Sequence, residues 1–481
     1  MENSYLNLEL RSYNSSKDIP KDLNKIVFIS KEKEVKKYDM SSSLSKKITA
    51  VFESKKDEMI TSFGDSQSFW VISTSQDLEQ NRQLGISLFK MLNKENCLYA
   101  SLTGLKDSPE DLKNSFLEGL LIGSYKFNPY HKKKESKKFE VYISQKEVSE
   151  KTINQVTNLI KGVSLTRTLV NEPPNKLDSL RFSERIVEAG KEYGFKTEVL
   201  HKEEIAALGM GGLLGVNQGS KIPPTFNIMT YKPKNAVNKK PLVLVGKGVT
   251  FDTGGYSLKT GGHMSTMKSD MGGAATVVGI MSAVAVNELP YHVIGLVPAT
   301  DNKIDGSALL VDDVITMMDG TTVEVQNTDA EGRLILADTL TYAKQYKPEL
   351  VIDLATLTGA AAAITGPFGI AMVGNHQEQM DSLKQSGETT YERLAQLPFW
   401  KEFEDLLKSD VADLKNIGGP VGGASTAGKF LEHFTDYDWI HLDIAGPAFL
   451  EKPRGLYPSG GTGMGVRLLY EFIKTKVEKA N

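Results

Sequence analysis

Cysteine is nearly missing: 481 residues hold one, Cys97. A single thiol can neither close an intramolecular disulfide nor build a cysteine-based zinc site. It fits a reducing compartment, so the cytoplasm is the expected location. Histidine is scarce as well, with seven residues and no His-Glu-x-x-His pair, which argues against a thermolysin-type zinc centre. There is no Gly-x-Ser-x-Gly elbow, so nothing indicates a serine hydrolase of the α/β type. A surplus of positive charge is lacking too. Fifty-seven basic residues against 60 acidic ones leave a net charge of −3, which gives no reason to expect nucleic acid or an anionic membrane as the main partner. The local exception, His131-Lys132-Lys133-Lys134 followed by Lys137-Lys138, reads as a solvated loop.

Long lipid-compatible runs are absent. The start, Met1-Glu2-Asn3-Ser4, has no basic segment leading into an apolar core, so no signal peptide is expected. Leu354 to Asn375 is 22 residues without a formal charge, but Gly359, Gly366, Pro367, Gly369 and Gly374 would make it a poor lipid-facing helix. It is expected to be buried backbone near a site, with no membrane partner.

A chain of this length exceeds one ordinary core, so two domains are expected. Residues 1–150 carry short strand-like runs (Ile26 to Ile29, Trp70 to Ile72, Phe139 to Ile143) and a helical pattern from Leu112 to Leu121. They are read as a small α/β domain, open to an oligomeric or regulatory role. Residues 151–175 form a linking helix and turn, stopped by the paired prolines of Asn171-Glu172-Pro173-Pro174-Asn175. In residues 176–481, strands expected at Pro241 to Val245, Val293 to Val297, Val323 to Gln326, Leu350 to Leu354 and Trp439 to Ile444 alternate with helices expected at Ala274 to Val286 and Leu334 to Tyr346. That alternation predicts a larger α/β domain with a central, largely parallel sheet covered by helices on both faces.

Sites in such sheets form where the carboxyl ends of strands meet loops. Three Gly-rich polar stretches qualify: Gly246-Lys247-Gly248-Val249-Thr250-Phe251-Asp252-Thr253-Gly254-Gly255 followed by Lys259; Met267-Lys268-Ser269-Asp270-Met271-Gly272-Gly273; and Asn327-Thr328-Asp329-Ala330-Glu331-Gly332-Arg333. Asp270 and Asp329 each precede a helix, where an Asp often does no more than cap backbone N–H groups. Taken together, however, four carboxylates with two lysines on loops at one sheet edge would need further counter-charge. Divalent cations with hard oxygen ligands supply it, as in two-metal hydrolytic centres.

The same stretches, with Lys268-Ser269-Asp270-Met271-Gly272-Gly273-Ala274-Ala275 and the intact octapeptide Asn327 to Leu334, resemble the leucine aminopeptidase family, also called the cytosol aminopeptidases. The resemblance spans about residues 165 to 475 and includes His441-Leu442-Asp443-Ile444-Ala445-Gly446-Pro447. It implies that Lys247, Asp252, Asp270 and Glu331 hold one metal and that Asp252, Asp329 and Glu331 hold a second, with Mn or Zn first and Mg or Co as alternatives. It implies Lys259 facing the substrate carbonyl, and Arg333 holding a bicarbonate that shuttles a proton to the leaving amine. Met267, Thr356, Gly359, Ala445 and Ala448 would line a soft apolar side-chain pocket suited to Leu or Met. The substrates implied are short peptides with a free N-terminus, cleaved by metal-activated water, and the assembly implied is a homohexamer. Thr253 stands where a serine is frequent in the family.

Two other features lead elsewhere. Gly423-Ala424-Ser425-Thr426-Ala427-Gly428-Lys429-Phe430 approaches a phosphate-binding loop but ends in Phe430 where a hydroxyl is needed, so a Gly-rich loop entering a helix is expected. His441 and Asp443 alternate along a strand, where a satisfied buried histidine is expected. Competing functions are a two-metal hydrolase of another amide or ester, such as a narrow dipeptidase, and a nucleic-acid-binding role.

Overall fold

The computed structural model describes residues 5–21, 23–63, 67–132, 137–455 and 457–480. The chain divides into two compact units, Met1–Ser164 with Pro453–Pro458, and Leu165–Lys452 with Ser459–Asn481. The first contains β1 (Leu8–Tyr13), β2 (Asn24–Ile29), β3 (Glu58–Phe63), β4 (Gln67–Ile72), β5 (Tyr99–Thr103) and β6 (Phe139–Ser144). They form a sheet in the order β1-β6-β5-β2-β4-β3, parallel except for the β3–β4 edge. The helical pattern near Leu112 is the helix Glu110–Gly123, which packs on the helix Leu78–Lys94. Residues 133–136 of the lysine-rich run lie outside the described residues.

The second unit opens with β7 (Lys196–Leu200), β8 (Thr225–Tyr231), β9 (Leu242–Gly246), β10 (Gly248–Asp252) and β11 (Val293–Asn302). It continues through β12 (Val314–Thr316), β13 (Thr322–Glu324), β14 (Leu350–Ala355), β15 (Ile370–Gly374), β16 (Leu394–Gln396), β17 (Leu414–Lys415) and β18 (Trp439–Asp443). The main sheet runs β16-β15-β18-β14-β9-β11-β8-β7, with β10 paired to β11. Its centre, β18-β14-β9-β11-β10, is parallel; antiparallel pairs occur only towards the flanks. Every residue of β9, β11, β14 and β18 is buried, which requires cover on both faces. Val243, Val245, Ile294 and Leu296 pack with Leu334, Leu336 and Leu340 of the helix Glu331–Ala343. On the other face, Gly295 lies against Val277 and Met281 of the helix Gly272–Val286. The unit is therefore a helix-covered, largely parallel α/β domain, with the first unit a smaller α/β domain beside it in sequence.

Two local expectations change. Val323 to Gln326 was read as a strand of the main sheet, but β13 sits in a separate three-stranded sheet with β12 and β17. Only Val323 of β13 is buried, and one apolar residue cannot serve a sheet covered on both sides. The uncharged stretch Leu354 to Asn375 is buried in β14 and β15 but surfaces between them, leaving Ile364 60% and Phe368 52% exposed. Its glycines and its short helix, Gly359–Thr365, turn the chain across the mouth of a cleft instead of through the core. Among the described residues no helix is long and apolar enough to cross a membrane.

Candidate active site

The parallel centre of the sheet delivers the three Gly-rich loops to one edge. Lys247 follows β9 directly. Its N–H donates to the Leu354 carbonyl of β14 at 3.0 Å, and its carbonyl accepts the Ala274 N–H at 2.9 Å. Gly273 makes this closeness feasible: a Cβ there would lie 1.9 Å from the Leu354 oxygen. With its backbone fixed, Lys247 sends its ammonium inward to Asp270 Oδ1 and Glu331 Oε1, both at 2.8 Å, and to the Thr356 carbonyl at 3.0 Å. Gly332 leaves room for that stem, since a Cβ on it would meet Lys247 Cε at 2.5 Å.

The acids are not spent as helix caps. The cap positions of the helices Gly272–Val286 and Glu331–Ala343 are Met271 and Ala330, and neither makes a side-chain cap bond. Asp252, at the end of β10, accepts from the Gly254 N–H and from Asn302 Nδ2, each at 2.8 Å, through Oδ1. Its Oδ2 faces Lys259 Nζ at 2.8 Å, and the same ammonium lies 2.6 Å from Asp329 Oδ1. Asp270 Oδ1 also accepts the Thr356 hydroxyl at 2.7 Å. Oxygens of Asp252, Asp329 and Glu331 lie within 4.8 Å of one another. Asp252, Asp270 and Glu331 are buried, while the Asp329 side chain is 32% exposed.

The charges are costly as they stand. Burial pushes the Glu331 carboxyl above its usual range, and Asp252 adds to the rise. Asp270 rises through burial against the pull of Lys247, and Asp329 rises through burial and the neighbouring Asp252. Burial pulls Lys247 toward neutrality, but Asp270 and Glu331 outweigh it and hold the ammonium charged. Lys259 is held charged in the same way, chiefly by Asp252. Glu331 Oε2 and Asp270 Oδ2 remain buried with no hydrogen-bond partner. Four carboxylates, two lysines and buried unpartnered oxygens make a donor set that fits divalent cations, because a cation would satisfy both the excess charge and the orphaned oxygens.

Arg333, two residues after Glu331 on the helix Glu331–Ala343, is 7% exposed and donates from Nη1 to the Asn416 carbonyl at 2.6 Å. Burial lowers its guanidinium to about 10, and its Nε has no partner. A cleft of about 540 Å³ opens above, bordered by Lys247, Asp252, Lys259, Asp270 and Asp329. Met267, Thr356, Gly359, Ala445 and Ala448 border the same cleft; Glu331 and Arg333 are not on its wall. Sequence reasoning passed over two asparagines that hold the loops. Asn302 Nδ2 joins Asp252 to the Thr328 carbonyl at 3.0 Å, and Asn416 braces residues 326 and 327 through both ends of its amide. Asn302 ends a buried strand and Asn416 precedes Ile417-Gly418-Gly419, a stretch without carboxylates, so neither stands among the charged residues that mark the site. His441 is satisfied on one side only: Nδ1 meets Asp353 Oδ1 at 2.6 Å, and the buried Nε2 has no partner. The stretch resembling a phosphate loop is the N-terminus of the helix Gly423–Glu432, entered through Gly422 and not from a strand of the main sheet.

A family model for the catalytic domain of the cytosol aminopeptidase family matches residues 164–470. The chain belongs to the cytosol aminopeptidase family. It is thus an aminopeptidase, a hydrolase of peptide bonds. The chain is 48% identical over 386 residues to the probable cytosol aminopeptidase of Chlorobium limicola, covering 77% of this chain and 76% of that one. It is 43% identical over 377 residues to the probable cytosol aminopeptidase of Clostridium perfringens, covering 76% of each. Among solved structures, the bottromycin maturation enzyme BotP in complex with Mn matches with TM-score 0.84 at 30% identity, over 95% of this chain and 99% of that one. The cytosol aminopeptidase of Coxiella burnetii matches with TM-score 0.83 at 27% identity, over 97% and 99%. The cytosol aminopeptidase match lies almost wholly within the second unit, which carries the whole cleft.

Proposed function

We propose that the chain is a two-metal aminopeptidase that releases Leu and other apolar N-terminal residues from short peptides. The observation that carries this reading is the cluster of Asp252, Asp270, Asp329 and Glu331 with Lys247 and Lys259, whose unpartnered buried oxygens adjoin a cleft with an apolar end. Lys247, as the neutral amine left once a dication displaces its proton, would hold one cation with Asp252, Asp270 and Glu331, and Asp252, Asp329 and Glu331 would hold the other. Mn and Zn suit the set best; Mg or Co is compatible with its oxygen donors. Bound, the cations supply Lewis acidity and make water acidic enough to act near neutral pH.

The chain's own residues do the rest. Asn302 and the Gly254 N–H fix Asp252 so that its Oδ2 points into the site. Lys259, held charged, places an ammonium where the oxyanion of the attacked carbonyl develops, and must leave its carboxylates to do so. Arg333, with Nε unpaired, would hold a bicarbonate, which when bound would supply a proton carrier for the leaving amine, as no side chain of the three Gly-rich stretches is an obvious general base. Met267, Ala445 and Ala448, with Thr356 and Gly359, would receive the N-terminal side chain. We also propose a homohexamer. Exposed Ile304, Leu310, Val311 and Val314 give the second unit an apolar surface that an assembly could cover.

The test is hydrolysis of a leucine anilide by metal-stripped protein, then with Mn or Zn restored. Activity that disappears and returns supports the reading. Inertness of the reconstituted protein on this and on a panel of free-amine dipeptides would sink it.

A further inference from the structure

We infer that His263 recognises the part of the peptide beyond the scissile bond, binding a carboxylate there. The inference rests on the proposed aminopeptidase function and adds a specificity determinant to it.

Sheet order gives the cleft a direction. The parallel strands β18-β14-β9-β11-β10 present their carboxyl ends at one edge. The loops after β14 and β18, carrying Thr356, Gly359, Ala445 and Ala448, form most of the apolar end, joined by Met267 where the loop after β10 returns toward the helix Gly272–Val286. Lys247 follows β9 in the middle. The segment Ser257 to His263 follows β10, on the opposite flank, and borders the same cleft. A substrate whose N-terminal side chain fills the apolar end, with its first peptide bond over the lysine–carboxylate cluster, must send its leaving portion toward this flank.

The chemistry of that flank is narrow. The Ser257 hydroxyl accepts from the Thr328 N–H at 3.1 Å, and it and the Thr260 hydroxyl could offer a carboxylate only a neutral O–H. Leu258 offers no polar atom. Lys259 is committed to Asp252 and Asp329, and at 2.6 Å it neutralises Asp329, the carboxylate that would otherwise repel an anion here. His263 is exposed at the cleft, and of the flank's side chains outside the cluster its imidazole alone can offer a charged N–H donor. Its loop can adjust. Gly261 has φ +63°, and a Cβ on Gly262 would meet nothing within 4 Å. Thr266, a β-branched residue held at φ +72°, fixes where the loop returns to Met267.

A carboxylate can reach His263 from two sources: the terminal carboxylate of a dipeptide, or the side chain of an acidic second residue. Three substrates separate them, Leu-Ala, Leu-Ala amide and Leu-Asp amide, compared by kcat/KM in the metal-loaded full chain. Leu-Ala exceeding Leu-Ala amide identifies the terminal carboxylate; Leu-Asp amide exceeding Leu-Ala amide identifies the side chain. Whichever preference exists should fall roughly tenfold in His263→Ala, through KM, and be largely kept in His263→Lys. The non-cleavable analogues with a reduced peptide bond should bind with the same ratio by calorimetry. Equal rates on all three substrates in the native chain, or a preference untouched by His263→Ala, overturns the inference while leaving the aminopeptidase reading standing. No turnover of any of the three would overturn both.

Discussion

Lys247 and Lys259 occupy similar surroundings for different purposes. Each is packed among carboxylates, Lys247 buried and Lys259 partly so, and each ammonium is held charged by them against the pull of burial. Both border the cleft, but Lys247 shows only 4% of its side chain and is held by Asp270, Glu331 and the Thr356 carbonyl, whereas Lys259 has 14% of its side chain exposed. Only the latter can turn toward a substrate carbonyl. Lys259→Ala should therefore lower kcat by roughly 10²–10³-fold, the scale of losing one oxyanion donor, while bound metal measured by plasma emission stays near the native amount. A parallel loss of metal would move Lys259 from the chemistry to the binding of the cations. Gly332→Ala tests Lys247 differently. The new methyl would meet the flexible end of the lysine at 2.5 Å, so the fold should survive with its thermal midpoint little changed. Metal affinity should drop as the amine is displaced. Native metal content in that variant would contradict the proposed role of Lys247.

At the level of elements, the helix Glu331–Ala343 serves both the site and the fold. Its first turn holds Glu331 and Arg333. One turn and a half further on, Asp338 is fully buried and accepts the Leu213 and Met318 N–H groups, each at 2.9 Å. Asp338→Ala orphans these donors at roughly 1–3 kcal/mol each, so the urea midpoint should fall clearly; a shift within error would mean that other partners replace the carboxylate. Gly273→Ala belongs to the same scale. Its Cβ would strike the Leu354 carbonyl, the acceptor of the Lys247 N–H, and force β14 away from the start of the helix Gly272–Val286. Loss of stability and of metal binding together is expected, read by calorimetry and metal analysis. Element-level patterns were also where the sequence was most legible. β9, β11, β14 and β18 appear within a few residues of the expected strands because continuous apolar runs specify buried parallel strands. β13 was misassigned because a three-residue alternating strand looks alike whether it joins a central sheet or a small marginal one.

For the whole molecule, cations that bind only the folded state should raise its stability. Mn added to metal-stripped protein is expected to raise Tm progressively with concentration, by the mass action of a native-state ligand. Asp270→Asn should blunt that rise. A Tm indifferent to Mn and Zn in the native chain would count against the cation site. Sedimentation of the 52.9 kDa chain should give six copies per particle, and replacing Leu310 and Val311 by Lys should shift it to smaller species. A native monomer at micromolar concentration would remove the hexamer from the proposal.

By itself the sequence determined the family, the α/β class and the ionic make-up of the site, because those depend on hydrophobic periodicity and on residue types at fixed spacings within single loops. Tertiary structure decided what those spacings cannot encode. It showed that Asp270 and Asp329 are free of capping duty, that Asn302 and Asn416 brace the loops from distant parts of the chain, and that Glu331 and Arg333 are not on the cleft wall. It also set the order of the loops along one sheet edge. Strand order is fixed by which apolar faces can be buried together, a property of the whole packed sheet that no single loop contains.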